Sequence, residues 1–483
     1  MKRLALRNLL ALCGLFAATS GPAQAWVERA AKVAPHPRQI AWQQLEFYAF
    51  VHFGVNTFTD REWGTGTEDP KIFHPTALDA RQWVSVFKDA GMRMVILTAK
   101  HHDGFCLWPS RYTEHSVKNS PWRGGAGDVV REVADACREA GLKFGVYLSP
   151  ADLNAPSYGD TEGYNTYFKN QLRELLTQYG DITEVWFDGA NPRKEGMKYD
   201  YFGWYRLIRE LQPNAVIFGM GPDVRWVGNE GAHTRAAEWS VFPSPVPLEQ
   251  FHGGDSTAED LGSRAKIASA PHLLWWPAET DVSIRPGWFY HAAEDAKVKS
   301  VETLLDMYYR NVGGNCTLLL NVPPDRRGLI HENDAAHLRQ LGKVLQSTFQ
   351  VNLADAAKVQ ASHQRPEAPA SAITDANPAT FWTTPDGQET AELTFELAGR
   401  RTFNRAQLME HLPVGQRIEG CALDVWIDGS WKEVATATTV GYMRLLRFPE
   451  VTTDRVRIRI TGARWAPTLS KLGLFREATA PRP

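Results

Sequence analysis

Between Phe47 and Met220 the chain alternates five short apolar runs with four amphipathic stretches. The runs are Phe47 to Phe53, Met92 to Ala99, Leu142 to Ser149, Val185 to Asp188 and Ala215 to Met220. The stretches are Leu78 to Ala90, Asp128 to Ala140, Gly163 to Tyr179 and Tyr201 to Leu211. This pattern constrains the fold more than any other feature, because strand–helix–strand at such spacing builds βαβ units and a parallel sheet. Helix boundaries are marked locally: Asp128 is an N-cap, and Gly91 and Gly141 are stops. A nucleotide-binding sheet usually carries a Gly-rich fingerprint after its first strand, and none follows here. A (β/α)8-type barrel therefore fits better than a doubly wound sheet. Further strands are expected near Glu238–Phe242, His272–Trp276 and Thr317–Asn321, with a helix over Val298–Tyr309. Clear helices are missing between the later strands, so the α/β barrel is expected to be irregular.

After about residue 350 the helical period disappears. Short alternating runs replace it: Ala391–Leu397, Gln407–His411, Ala422–Ile427, Trp431–Ala435 and Arg455–Ile460. Such runs, separated by Gly, Asp-Gly and Pro, predict an all-β sandwich. At the other end, Lys2, Arg3 and Arg7 precede an apolar run from Leu9 to Thr19 and the small-x-small site Ala23-Gln24-Ala25. These features read as a cleaved secretion signal over 1–25. The expected layout is signal 1–25, catalytic barrel 26–350 and sandwich 351–483, in a secreted or periplasmic protein without a membrane anchor. A net charge of −2 and a pI near 6.7 argue against nucleic acid or an anionic membrane as partner. Cys106, Cys137, Cys316 and Cys421 are too scattered for a disulfide framework and read as small buried apolar residues.

Polar residues gather at the expected strand ends. Asp188 closes a buried strand before Gly189 and a turn at Asn191-Pro192. His52, the run His101-His102-Asp103, Tyr147 and Trp186 hold the same position on their strands. In a barrel that end is the catalytic face. Taken alone, Asp188 could equally cap its turn; the clustering favours chemistry. A metal site built on His52, His101, His102 and Asp188 is disfavoured, since neighbours in an extended chain point to opposite sides and no HExxH is present. Glu230, in a Gly-flanked loop beside Trp226, is a second carboxyl whose proton affinity burial could raise. Two carboxyls at one barrel mouth suit glycoside hydrolysis, and the chain's 17 Trp, 14 Tyr and 22 Phe include rings able to stack on sugar faces.

The motifs HFGVNTF, EWG, TAKHHDGFCLW, GVYLSP, EVWFDG, RWVGNEG, RPGWFYH and NVGGNCTLLLNVPPD follow in that order. Over roughly residues 35–345 the sequence resembles the alpha-L-fucosidases of glycoside hydrolase family 29, in particular the subgroup acting on alpha-1,3/1,4-linked fucose. The resemblance implies a retaining exo-fucosidase with Asp188 as nucleophile and Glu230 as acid/base, Glu238 being a competitor. It implies that His52, His101, His102, Tyr147 and Trp186 hold the fucose, with Glu62, Trp63, Arg285 and Trp288 as further contacts. Its partners would be fucosylated oligosaccharides or glycoconjugates, with no cofactor and no metal. SAITDANPATFWTT and the closing RVRIRI strand resemble discoidin-like carbohydrate-binding modules. The alternatives are a barrel glycosidase for another hexose and a non-catalytic sugar-binding protein.

Overall fold

The computed structural model describes residues 22–190, 197–375, 377 and 379–477. Most of the expected secretion signal and the turn at Asn191-Pro192 lie outside these residues. Eight parallel strands form one sheet: β1 Phe47–Val51, β2 Met94–Lys100, β3 Lys143–Leu148, β4 Glu184–Trp186, β5 Val216–Phe218, β6 Arg225–Trp226, β7 Ala278–Ser283 and β8 Cys316–Asn321. Their spatial order is β5-β4-β3-β2-β1-β8-β7-β6. A parallel bridge between Phe218 and Val224 nearly closes the sheet into a barrel.

Alternate residues on each strand separate two layers of core. On β1 and β2, Phe47, Ala49, Val51, Val95 and Leu97 pack outward with the helices. Tyr48, Phe50, Met94 and Ile96 pack inward with Tyr147, Trp186 and Phe218. This is the period-2 rule at work, and each large apolar side chain so buried contributes about 1.5–3 kcal/mol. The outer helices are α1 Ala80–Asp89, α2 Val129–Ala140, α3 Thr161–Gln178, α4 Tyr201–Leu211, α5 Val301–Asn311 and α6 Glu332–Phe349. Asp128 caps α2 by accepting from the Arg131 amide, and Gly141 ends it at φ 77°. Cys106, Cys137, Cys316 and Cys421 are buried free thiols.

Two expected strands are not barrel staves. Val241–Ser244 and His272–Trp275 pair antiparallel with each other as a separate two-stranded ribbon. The staves in this region are β6 and β7. β6 spans only two residues, and β7, Ala-Glu-Thr-Asp-Val-Ser, is polar at alternate positions, so neither shows the apolar run by which its neighbours are legible.

The C-terminal sheets are antiparallel, built on Lys358–Ala361, Ala391–Met409, Ile418–Ile427, Ser430–Ala437, Arg444–Ala463 and Lys471–Phe475. The runs expected separately at Ala391–Leu397 and Gln407–His411 belong to one strand, Ala391–Met409, whose pairing shifts register between Glu396 and Arg401 and between Phe403 and Arg405. Val456, Ile458 and Ile460 point into the sandwich core while Arg455, Arg457 and Arg459 are partly exposed. The sandwich docks under the barrel. The Leu445 amide donates to Gly313 O at 3.0 Å, the Asn315 amide to Met443 O at 3.1 Å, and Tyr442 Oη to Glu46 Oε1 at 2.8 Å. Glu46 and Asn315 immediately precede β1 and β8, so this contact covers the amino-terminal end of the barrel. The carboxyl-terminal end stays open.

Candidate active site

At the open end lies a cavity of about 360 Å³, within the range of small-molecule sites. Its lining includes Phe50, His52, Glu62, Trp63, His101, His102, Tyr147, Trp186, Asp188, Phe218, Trp226, Glu230, Asp281 and Trp288. The staves deliver these side chains: His52 follows β1, His101 and His102 follow β2, Tyr147 lies on β3, and Trp186 ends β4 two residues before Asp188.

Asp188 is held from two sides. Tyr147 Oη donates to Oδ2 at 3.0 Å, and the Ala190 amide donates to Oδ1 at 2.7 Å. His102 Nε2 stands 3.8 Å from Oδ2, and the carboxyl is 25% exposed. The carboxylate is thus oriented yet reachable.

Neighbours fix the tautomers of two histidines. The Ser149 hydroxyl donates to Ala151 O, so it must accept from His102 Nδ1 at 2.7 Å. Asn321 Nδ2 donates to Ser283 Oγ and Trp288 O, which leaves Oδ1 to accept from His52 Nδ1 at 2.8 Å. Nε2 of each neutral ring is then the free acceptor. Burial lowers His52 to about 3 and moves His101 and His102 down too, so the cluster presents neutral rings to the cavity. His101 and His102 both line the cavity, with ring centroids 4.1 Å apart. The alternation argument does not hold for them because β2 ends at Lys100.

Below the histidines, Trp186 stacks between Tyr147 at 5.2 Å and Phe218 at 4.3 Å. Its indole Nε1 donates to Glu279 Oε1 at 2.9 Å, and Tyr48 Oη donates to the other oxygen of Glu279. The adjacent Glu184 accepts from Trp42 Nε1 at 2.8 Å. Burial pushes both carboxyls up, Glu279 to about 7 and Glu184 well above its ordinary range.

One expected contact, Arg285, falls outside the cavity, and the burial expected of Glu230 is not found. Arg285 does not line the cavity: it is fully buried, doubly bonded to Asp334 at 2.9 and 2.6 Å and paired with Asp295. Glu62 lines the cavity, but its carboxylate also accepts from the Trp288 and Phe289 amides at 2.8 and 3.2 Å and meets His291 Nε2 at 2.7 Å. It clamps the loop bearing Trp288. Trp63 is 51% exposed at the mouth, its ring 4.5 Å from that of His102. Glu230 also sits at the exposed mouth; the buried carboxyl beside Trp226 is Asp281, which accepts from Trp226 Nε1 at 2.5 Å. Glu238 lies outside the cavity lining, buried against Arg225 and Arg235. Sequence reasoning missed Asp281, Glu279, Ser283 and Asn321. The only signal was acids at alternate positions, Glu279 and Asp281, in the stretch after Trp276.

A family model described as Alpha-L-fucosidase matches residues 14–348, more than half of the chain. The chain belongs to the alpha-L-fucosidase family. A second model, the F5/8 type C domain, matches residues 358–472 of this fucosidase. Alpha-L-fucosidase 1 of Arabidopsis thaliana is 44% identical over 458 residues, covering 92% of this chain and 87% of its own. A Bacteroides ovatus crystal structure superposes with a TM-score of 0.86 at 45% identity, covering 97% of this chain and 78% of that one. A Ruminococcus gnavus GH29 fucosidase in complex with fucose superposes with a TM-score of 0.84 at 32% identity, covering 93% and 96%. The fucosidase is accordingly a glycoside hydrolase. Among its described residues no helix is long and apolar enough to cross a membrane.

Proposed function

We propose that the fucosidase is a secreted or periplasmic retaining exo-enzyme that removes terminal alpha-L-fucose, alpha-1,3- or alpha-1,4-linked, from oligosaccharides or glycoconjugates. Asp188 attacks the anomeric carbon while Glu230 gives its proton to the glycosidic oxygen, and the leaving sugar departs. The covalent fucosyl-enzyme is then opened by water, whose proton returns to Glu230, and Asp188 is released with the sugar in its original configuration. His52, His101, His102 and Tyr147 bind the hydroxyls, while Trp186, Trp63 and Trp288 supply apolar faces for a 6-deoxy sugar.

The observation that carries this reading is the Asp188 carboxylate, aimed by Tyr147 Oη and the Ala190 amide while still open to the cavity. A turn cap needs only the Ala190 bond. Asp188→Gly should abolish turnover of an aryl alpha-L-fucoside with melting unchanged, and azide should restore part of the rate and yield beta-fucosyl azide. Near-native turnover by this variant would reduce Asp188 to a cap.

A further inference from the structure

β7, absent from the sequence reading, carries three inward polar residues at alternate positions. Glu279, lowest in the barrel, holds the Trp186 indole. Ser283, at the top, accepts from Asn321, which orients His52. Between them stands Asp281. The residues between these three face outward: Thr280 Oγ1 donates to Asn311 of α5 at 2.7 Å, and Val282 joins the outer core. Glu279 and Ser283 thus act through other residues. Asp281 differs, because it lines the cavity itself although only 5% exposed.

Its Oδ1 is taken by Trp226 Nε1 at 2.5 Å, so the second oxygen is the one left to the cavity. An ionised carboxylate there would face the charges of Glu230 at the mouth and Glu279 below. On β6, the Arg225 guanidinium that could offset it is engaged with Glu238 instead. Burial, reinforced by Glu279 and Glu230 and opposed by the Trp226 hydrogen bond, holds Asp281 well above the usual carboxylate range. With Oδ1 accepting from the indole, the other oxygen is where a proton on this acid would sit. Holding Trp226 alone would not call for this arrangement, since a neutral amide accepts an indole N–H without the cost of burying an acid.

We propose that Asp281 is a further substrate-contacting residue, its second oxygen donating a neutral O–H hydrogen bond to an oxygen of the bound sugar on the Glu230 side of the cavity. The inference rests on the reading of this cavity as the fucoside site.

The test compares wild type, Asp281→Asn and Asp281→Ala on an aryl alpha-L-fucoside. Asparagine reproduces the neutral acid, with its oxygen toward Trp226 and its NH2 toward the cavity. It should keep kcat/KM within about threefold of wild type, while alanine should lose about tenfold or more. Infrared difference spectra of wild type against Asp281→Asn at pH 7 should show the loss of one protonated-carboxyl band, which added fucose shifts in the wild type. Should Asp281→Ala fail to fold, as its melting would show, the asparagine variant and the band still decide. Loss of activity in Asp281→Asn with native melting, or no missing band, overturns the proposal. Full activity in both variants also overturns it. An inactive wild type would instead remove the fucoside reading, and the proposal with it.

Discussion

Asp188 and Glu230 are held in opposite ways. Asp188 receives two donors just past the end of β4, whereas Glu230 stands exposed on the loop after β6. A nucleophile must be aimed at one carbon; an acid/base must reach the glycosidic oxygen in one half-reaction and the incoming water in the other. Glu238 has neither property, because it neutralises the buried Arg225 and lies outside the cavity. General acid help matters most for a poor leaving group. Glu230→Ala should therefore lose about a hundredfold or more on an oligosaccharide, and far less on an aryl fucoside with an acidic phenol. Glu238→Ala should instead lose about 3–5 kcal/mol of stability by stranding a buried guanidinium, read by denaturant melting, and show no dependence on the leaving group. The candidate carboxyls were legible because Asp188 ends an apolar strand and Glu230 sits in a Gly-flanked loop. The fate of Arg285 was not: the resemblance made it a sugar contact, and its pairing with Asp334, 49 residues further on, is a long-range contact that no local pattern reveals.

At the scale of elements, the first five staves were legible because each is a run of apolar residues and each of the first four is followed by an amphipathic helix. β7 was hidden because its inward face carries Glu279 and Asp281 in place of apolar residues, and the ribbon strands were misread because apolar runs do not reveal their partners. The hidden stave is the one that supports the site. Glu279 accepts both the Trp186 indole and the Tyr48 hydroxyl inside the barrel. Glu279→Leu would orphan two buried donors at about 1–3 kcal/mol each. Thermal unfolding should show a clear drop, and kcat on an aryl fucoside should fall because Trp186 stacks on the Tyr147 ring that aims Asp188. A melting temperature equal to wild type would show that β7 does not brace the site.

For the whole molecule, the sandwich is fastened to the end of the barrel opposite the cavity, where Met443 and Leu445 enter the barrel's own core. Leu445→Ala should cost about 2–5 kcal/mol and lower the melting of the whole fucosidase, although the residue lies far along the chain from the catalytic staves. Unchanged melting would mean that the sandwich contributes nothing to barrel stability. In the proposed reaction one oriented carboxylate forms a bond to the sugar, and water then displaces it from the opposite face, the one the leaving group left. The most direct measurement is proton NMR of the first fucose released from an aryl alpha-L-fucoside, recorded before mutarotation. A double displacement gives the alpha anomer first, with the beta anomer growing in later; the beta anomer first would mean a single displacement by water and would contradict the covalent intermediate.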